Sequence, residues 1–198
     1  MIVEEIVPGK NGRVVVYTDS GISFPVYKRE LQLYDIEEDK EISQEDYERI
    51  RAEVLDNRAK NRAMHLIVKM DRTEYQLRGK LKENNYPDDV IDEAVNYVKA
   101  FSYVDDYRYS CSYIRSGCAG KSRLKLKTEL TKKGVSSDVI NRAMEEEYVN
   151  DEYDIILKYL EKNGYDQENL DVRETAKIYR SLIRKGFEAG TVRRAMKL

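Results

Sequence analysis

Proline and glycine are scarce in this chain, three and ten among 198 residues, and tryptophan is absent. Few breaks are therefore available, and long helices are favoured over a turn-rich β architecture. Cys111 and Cys118 are the only thiols, so there is no disulfide framework to read. A reduced, cytoplasmic protein is the simplest expectation. No apolar run approaches the roughly 18 residues that a membrane span requires. The opening Met1-Ile2-Val3-Glu4-Glu5 lacks the basic-then-apolar order of a signal peptide. An excess of one charge is also missing: 36% of residues are charged, yet the formal net charge is only −2. A length of 198 residues suits one or two domains with a real core.

The balance in total charge hides a segregation along the chain. From Glu30 to Asp56 the only bases are Lys40, Arg49 and Arg51, whereas from Arg108 to Lys133 the only acid is Glu129. Such blocks point to a charged partner or to mutual masking, and composition does not choose between the two. The first segment reads as β. Arg13–Tyr17 and Gly21–Phe24 are β-branched or aromatic runs around a turn at Thr18-Asp19-Ser20-Gly21. Pro25 ends the pairing or places the second run at an edge. Helical punctuation starts with Ser43-Gln44-Glu45-Asp46, a capping box with Asp in the Glu position. Tyr47, Ile50 and Val54, then Ala63, Leu66, Ile67 and Met70, follow at helical spacing, with an interruption expected near Asp56-Asn57.

A repeat dominates the remainder. Leu77, Leu81, Asn85, Tyr86, Ile91 and Ala94 align without a gap to Leu126, Leu130, Gly134, Val135, Ile140 and Ala143. They align equally to Ile178, Leu182, Gly186, Phe187, Val192 and Ala195. The first two positions, four apart, make the buried stripe of one helix. Asn or Gly supplies the left-handed residue that ends it, and the next apolar residue staples the turn. Asp88, Asp89, Asp138 and Glu188 open the following helix, where the dipole favours acids, and Pro87 suits its first turn. Thr73-x-x-Gln76 and Asp171-x-x-Glu174 are entry capping boxes. A further helix precedes each copy, with stripes at Leu66, Ile67 and Met70, at Tyr109, Tyr113 and Ile114, and at Ile155, Ile156, Tyr159 and Leu160. The expected fold is mainly α: three tandem three-helix repeats in an elongated curved array, with a small N-terminal β-hairpin extension. The expected divisions are 1–42 for the hairpin extension and acidic linker, 43–102 for the first repeat with its lead-in helix, 103–149 for the second and 150–198 for the third.

Catalytic chemistry finds little support. Gly120-Lys121-Ser122 lacks the first glycine of a phosphate loop, since Arg115 stands there, and no strand leads into it. His65 has no Cys or carboxylate at ligand spacing and reads as a packed or half-exposed side chain. Cys111 and Cys118 are seven apart, but Gly117 intervenes, and two ligands do not close a zinc site. Asp105-Asp106 reads as a helix entry rather than an acid–base pair. Tyr97, Tyr113, Tyr159 and Tyr179 fall at apolar helical positions and read as core before they read as base-stacking platforms. No cofactor and no metal are expected.

The binding candidates are Lys121, Arg123, Lys125, Lys127, Lys132 and Lys133, on a helix whose Leu126 and Leu130 point inward. A solvated face and a contact with an acidic surface or phosphates are equally weighted readings of these bases. Helix-turn-helix readout of DNA is disfavoured. The second helices present Asp88, Asp89, Asp92 and Glu93, or Asp138 with Glu145, Glu146 and Glu147, which a phosphate backbone repels.

The Leu-x3-Gly-apolar turn, the linker Tyr103-Val-Asp-Asp-Tyr-Arg-Tyr109, and Gly120-Lys-Ser-Arg-Leu124 ahead of Glu129-Leu-Thr-Lys-Lys-Gly-Val135 resemble RecX regulatory proteins. The resemblance runs from about Ala59 to the C-terminus. The third copy is looser, with its long connection from Asn163 to Asp171. The resemblance implies a non-enzymatic protein that binds the RecA filament along its groove, touching more than one subunit; a monomer is expected from the repeat itself. Such a protein restrains filament growth and DNA-dependent ATP hydrolysis, and so modulates recombination, DNA repair and the SOS response. Weak contact with single-stranded DNA stays open beside it. A non-specific nucleic-acid-binding helical protein is the alternative, and an adaptor of another assembly is a third reading.

Overall fold

The computed structural model describes residues 1–9, 12–166 and 172–198. Three strands open the chain, β1 (Val3–Pro8), β2 (Arg13–Thr18) and β3 (Ser23–Tyr27), paired antiparallel in the order β1-β2-β3. The expected hairpin is β2–β3, with Val15 opposite Pro25. Pro25 thus lies within the pairing, on the edge strand, where a missing N–H need not interrupt a central ladder. Strand β1 and a short helix α1 (Lys28–Leu33) add to the expected hairpin. The mixed Val-Glu-Glu-Ile-Val pattern of β1 has no clean alternation. Its place is set by long-range bonds, among them the Val3 N–H to the Lys40 carbonyl at 3.0 Å and the Ile42 N–H to the Met1 carbonyl at 2.8 Å.

Helix α2 (Gln44–Ile50) starts where the sequence predicts, with Ser43 Oγ accepting from the Asp46 N–H at 3.0 Å. A π-helical stretch, Arg51–Leu55, joins it to α3 (Asp56–Lys69), just ahead of the expected interruption. The wider turn has a packing reason. Ile50 and Leu55 are five residues apart and both buried, so one added residue returns the stripe to the core before Ala59, Ala63 and Leu66 continue it. Met70 falls outside this stripe. The helix ends at Lys69, and Met70 is extended and exposed.

The first repeat consists of α3, α4 (Glu74–Lys82) and α5 (Asp88–Ala100). The second consists of α6 (Asp106–Gly117), α7 (Arg123–Lys132) and α8 (Ser137–Glu147). The third consists of α9 (Glu152–Lys162), α10 (Val172–Arg184) and α11 (Ala189–Met196). The turn between the last two helices closes alike in all three. Asn85, Gly134 and Gly186 have φ of 59°, 82° and 86°. Tyr86, Val135 and Phe187 donate to the carbonyls of Leu81, Leu130 and Leu182 at 3.4, 3.2 and 3.3 Å. This six-to-one bond, with its apolar contact, satisfies carbonyls that the helix end would otherwise leave orphaned. The repeat's leucines are buried throughout, while Ile178 is half-buried. Thr73 Oγ1 accepts from the Gln76 N–H at 3.2 Å, completing the first capping box. Asp171, the proposed cap of α10, lies outside the described residues. Pro87 caps α5 rather than entering its first turn.

The described residues form two compact units, Met1–Asp105 and Asp106–Leu198. In the first, sheet residues Val14, Val16, Phe24 and Val26 share one core with Leu77, Leu81, Tyr86, Ile91 and Ala94. In the second, one core takes in Leu126, Leu130 and Ile140 of the second repeat and Ile156, Leu182 and Val192 of the third.

Candidate functional site

Helix α7 begins at a crowded junction inside the second unit. Ser122 is buried and caps the helix, its Oγ accepting from the Lys125 N–H at 3.1 Å. Its own N–H donates to the Lys185 carbonyl at 3.2 Å, and Lys185 Nζ donates to the Gly120 carbonyl at 3.3 Å. The turn of the third repeat therefore sits on the start of α7. A methyl built on Gly186 would stand 2.6 Å from Ser122 Oγ and 2.8 Å from Lys125 Cβ. The Gly120-Lys121-Ser122 segment is thus a packing joint whose Ser122 N–H is already taken.

The six predicted bases divide by what they touch. Lys121 donates to Glu129 Oε2 at 2.7 Å and lies over the Tyr113 ring at 5.4 Å. The bond to Glu129 raises the Lys121 ammonium above its ordinary value against a burial penalty. Burial pushes the Glu129 carboxyl up, but the bonds from Lys121 and Tyr113 outweigh it and leave Glu129 low. Arg123 sits over the Tyr148 ring at 4.5 Å and donates to the Tyr148 carbonyl at 2.6 Å. Tyr148 in turn donates to the Lys121 carbonyl at 2.9 Å, and burial raises its phenol. Lys127 donates to Asn141 Oδ1 at 2.8 Å, and Lys133 lies over the rings of Tyr109 and Tyr113. Lys125 is half-buried and Lys132 exposed. Among the described residues neither ammonium makes a hydrogen bond or an ion pair.

The helix does carry its leucines inward, as the spacing predicts, yet four of the six cations rest on aromatic rings or polar groups of their own unit. Cations held over rings gain from the ring quadrupole and lose mobility, so their charge is oriented rather than loose. The aromatic partners Tyr113 and Tyr148 were not read as part of this cluster, although their place among the bases was visible in sequence. Helix α10 carries a further row of bases, at 173, 177, 180 and 184, whose spacing of four, three and four is the sequence signal for it.

Other sequence candidates resolve simply. His65 is exposed, more so than expected. Cys111 is buried, with burial raising its thiol, and Cys118 is half-buried beyond the end of α6 at Gly117. Tyr113, Tyr159 and Tyr179 are half-buried, but Tyr97 is exposed and packs on Phe101 with ring centroids 5.1 Å apart. Among the described residues, no group of three or more His, Cys, Asp or Glu could hold a metal ion. None of their helices is long and apolar enough to cross a membrane.

Comparison with known proteins accords with this geometry. Residues 59–97 match the RecX first three-helix domain and residues 105–144 the RecX second three-helix domain. A regulatory protein RecX of Clostridium perfringens (strain 13 / Type A) is 32% identical over 188 residues, covering 89% of this chain and 84% of the relative. A regulatory protein RecX of Caldanaerobacter subterraneus subsp. tengcongensis is 29% identical over 191 residues, covering 96% and 94%. A crystal structure of a regulatory protein RecX shares the fold, with a TM-score of 0.59 at 22% identity, covering 99% of this chain and 98% of that one. Repeat, turn and sequence thus converge, and the chain belongs to the RecX family of regulatory proteins.

Proposed function

We propose that this protein is a non-enzymatic, cytoplasmic regulator that binds the RecA recombinase filament and restrains both its growth and its DNA-dependent ATPase. Kinship with regulatory RecX proteins across 84–94% of their length carries this reading. The build of the chain supports it. Repeated helical units with mixed-charge surfaces suit binding over an extended partner better than they suit chemistry in a pocket.

The basic helix α7 in the middle of the second repeat, with its entry turn, is the proposed contact. Lys125 and Lys132 supply charge without an ion pair among the described residues, while Lys121, Arg123, Lys127 and Lys133 supply charge held in place by Glu129, Tyr148, Asn141 and the Tyr109–Tyr113 pair. Pre-positioned cations lose less side-chain freedom on binding and so favour a defined partner surface. The protein acts as a monomer in this reading.

The test is RecA ATPase on single-stranded DNA, with and without the protein. A fall in the steady-state rate that deepens with added protein is expected. Charge reversal at the exposed Lys132 should relieve it in part at unchanged melting temperature. An unchanged ATPase at saturating protein would overturn the reading. Relief that merely follows loss of binding to free oligonucleotide would put non-specific nucleic-acid binding in its place.

A further inference from the structure

Helix α10 carries three stripes where an ordinary amphipathic helix carries two. Leu182 is buried and Ile178 half-buried in the core of the second unit. Arg173, Lys177, Arg180 and Arg184 recur at spacings of four, three and four, which places them within about 60° of one another around the helix. Val172, Ala176, Tyr179 and Ile183 recur at the same spacings one residue earlier and form a band beside them. This second band is poorly covered: Val172 is 80% and Ile183 38% exposed, and Leu198 beyond α11 is 59% exposed.

Two clefts flank the apolar band, one toward the end of α11 and one toward the basic row. One, of about 510 Å³, is lined by Val172, Ala176, Tyr179, Arg193 and Leu198 among others. The second, of about 520 Å³, is lined by Lys177, Tyr179, Arg180, Ile183 and Arg184. From Val172 to Leu198 the chain has eight bases against two acids, Glu174 and Glu188. Among the described residues Lys177, Arg184 and Arg193 make no ion pair, and Arg180 donates only to the Ala176 carbonyl of its own helix. This face therefore contrasts with the start of α7, where most bases have partners.

We infer that this face of the third repeat docks an acidic amphipathic helix of a partner protein. Its carboxylates meet the Lys177–Arg180–Arg184 row, and its aliphatic side chains enter the two clefts. Charge complementarity sets the sign of the partner, and the clefts set its shape. A nucleic-acid backbone would satisfy the bases but leave aliphatic cleft walls empty, and the half-buried Tyr179 ring offers a poor stacking platform. A lipid surface receives protruding side chains rather than filling clefts. The inference does not depend on RecA being the partner of the second repeat.

Fluorescence anisotropy with the full-length protein tests it. The probes are a synthetic acidic helix of about five turns with leucines at positions i, i+4, i+7 and i+11, the same residues scrambled, a single-stranded oligonucleotide, and vesicles containing phosphatidylserine. The ordered peptide should bind at low salt, and weaken by about tenfold or more in Lys177→Glu/Arg180→Glu/Arg184→Glu. Ile183→Ser should weaken it at unchanged salt dependence. Should the triple variant fold poorly by circular dichroism, Arg180→Gln/Arg184→Gln serves in its place. Equal binding of the scrambled peptide would overturn the role of the clefts and with it the proposal. Tighter, variant-sensitive binding of the oligonucleotide or the vesicles would assign the face to those partners, and absence of binding to any probe would remove it as a docking surface.

Discussion

The first and second units build on the same helical repeat but cover its open side differently. In Met1–Asp105 a single repeat shares its core with a β-sheet, Val14, Phe24 and Val26 clustering with Leu77, Leu81 and Tyr86. In Asp106–Leu198 two repeats rest on each other, the Lys185–Gly186 turn seated on Ser122 and Lys125. A three-helix module cannot bury all its apolar surface alone, so something must complete it, and either a foreign element or another copy will serve. The ionic joints differ in kind as well. Glu30 is buried and bonded to Arg58 of α3 and to the Tyr27 N–H, tying sheet to repeat. Glu129 joins Lys121 and Tyr113 within one repeat.

Matched truncations of the two buried leucines test the comparison most strongly. Leu81→Ala and Leu130→Ala should each cost about 2–5 kcal/mol by transfer and cavity terms. Calorimetry should show each variant lowering the melting of its own unit, and a single transition shifted alike by both would show that the division has no thermodynamic meaning. Gly186→Ala comes next, at about 3 kcal/mol, because a Cβ there meets both a positive φ and two atoms under 3 Å away. Gly164 also has positive φ, 64°, but its Cβ would meet open space, so Gly164→Ala should cost only about 1 kcal/mol. Equal melting shifts would mean that seating of one repeat on the next contributes nothing.

Acid should test the ionic joint of each unit. Burial pushes the Glu30 carboxyl up, yet the Arg58 and Tyr27 bonds leave it below its ordinary value, and Glu129 is likewise low. A lowered carboxyl contributes stability that is present above its unfolded pKa and lost as pH falls through the folded one. Both units should therefore weaken from about pH 5 downward. Glu30→Gln should cost about 3 kcal/mol at neutral pH, as loss of a buried pair does, and Glu129→Gln about 1 kcal/mol. Urea melts at pH 7 and pH 3 check this, and a pH-independent penalty for Glu30→Gln would refute the ionic joint. The smallest effect is expected at the turn itself. Asn85→Gly should gain about 0.5 kcal/mol and Gly134→Asn should lose a similar amount, since glycine bears positive φ more cheaply.

Much of this was legible in the chain because it is local. A left-handed helix end needs Asn or Gly at one position and an apolar residue at the next, and Thr73 and Gln76 cap a helix three residues apart without help from elsewhere. The sites were less legible. Lys121 and Lys125 look alike in sequence, but only one finds Glu129, and Met70 continues a stripe that its helix has already left. Strand β1 is hard to read because Val-Glu-Glu-Ile-Val lacks alternation, although it pairs locally with β2, and its outer edge meets residues near Lys40.

By itself, then, the sequence determined the repeat, its turns, the inward leucines and the place of the hairpin, all of which follow from spacings of a few residues that backbone geometry enforces. Tertiary structure decided which bases are held by rings and carboxylates and which, like Lys132 and Arg184, stand without an ion pair among the described residues. It also decided that a sheet completes the first repeat while a third repeat completes the second. These outcomes depend on which surfaces meet across long stretches of chain, and burial and charge pairing between such surfaces leave no fixed spacing in sequence.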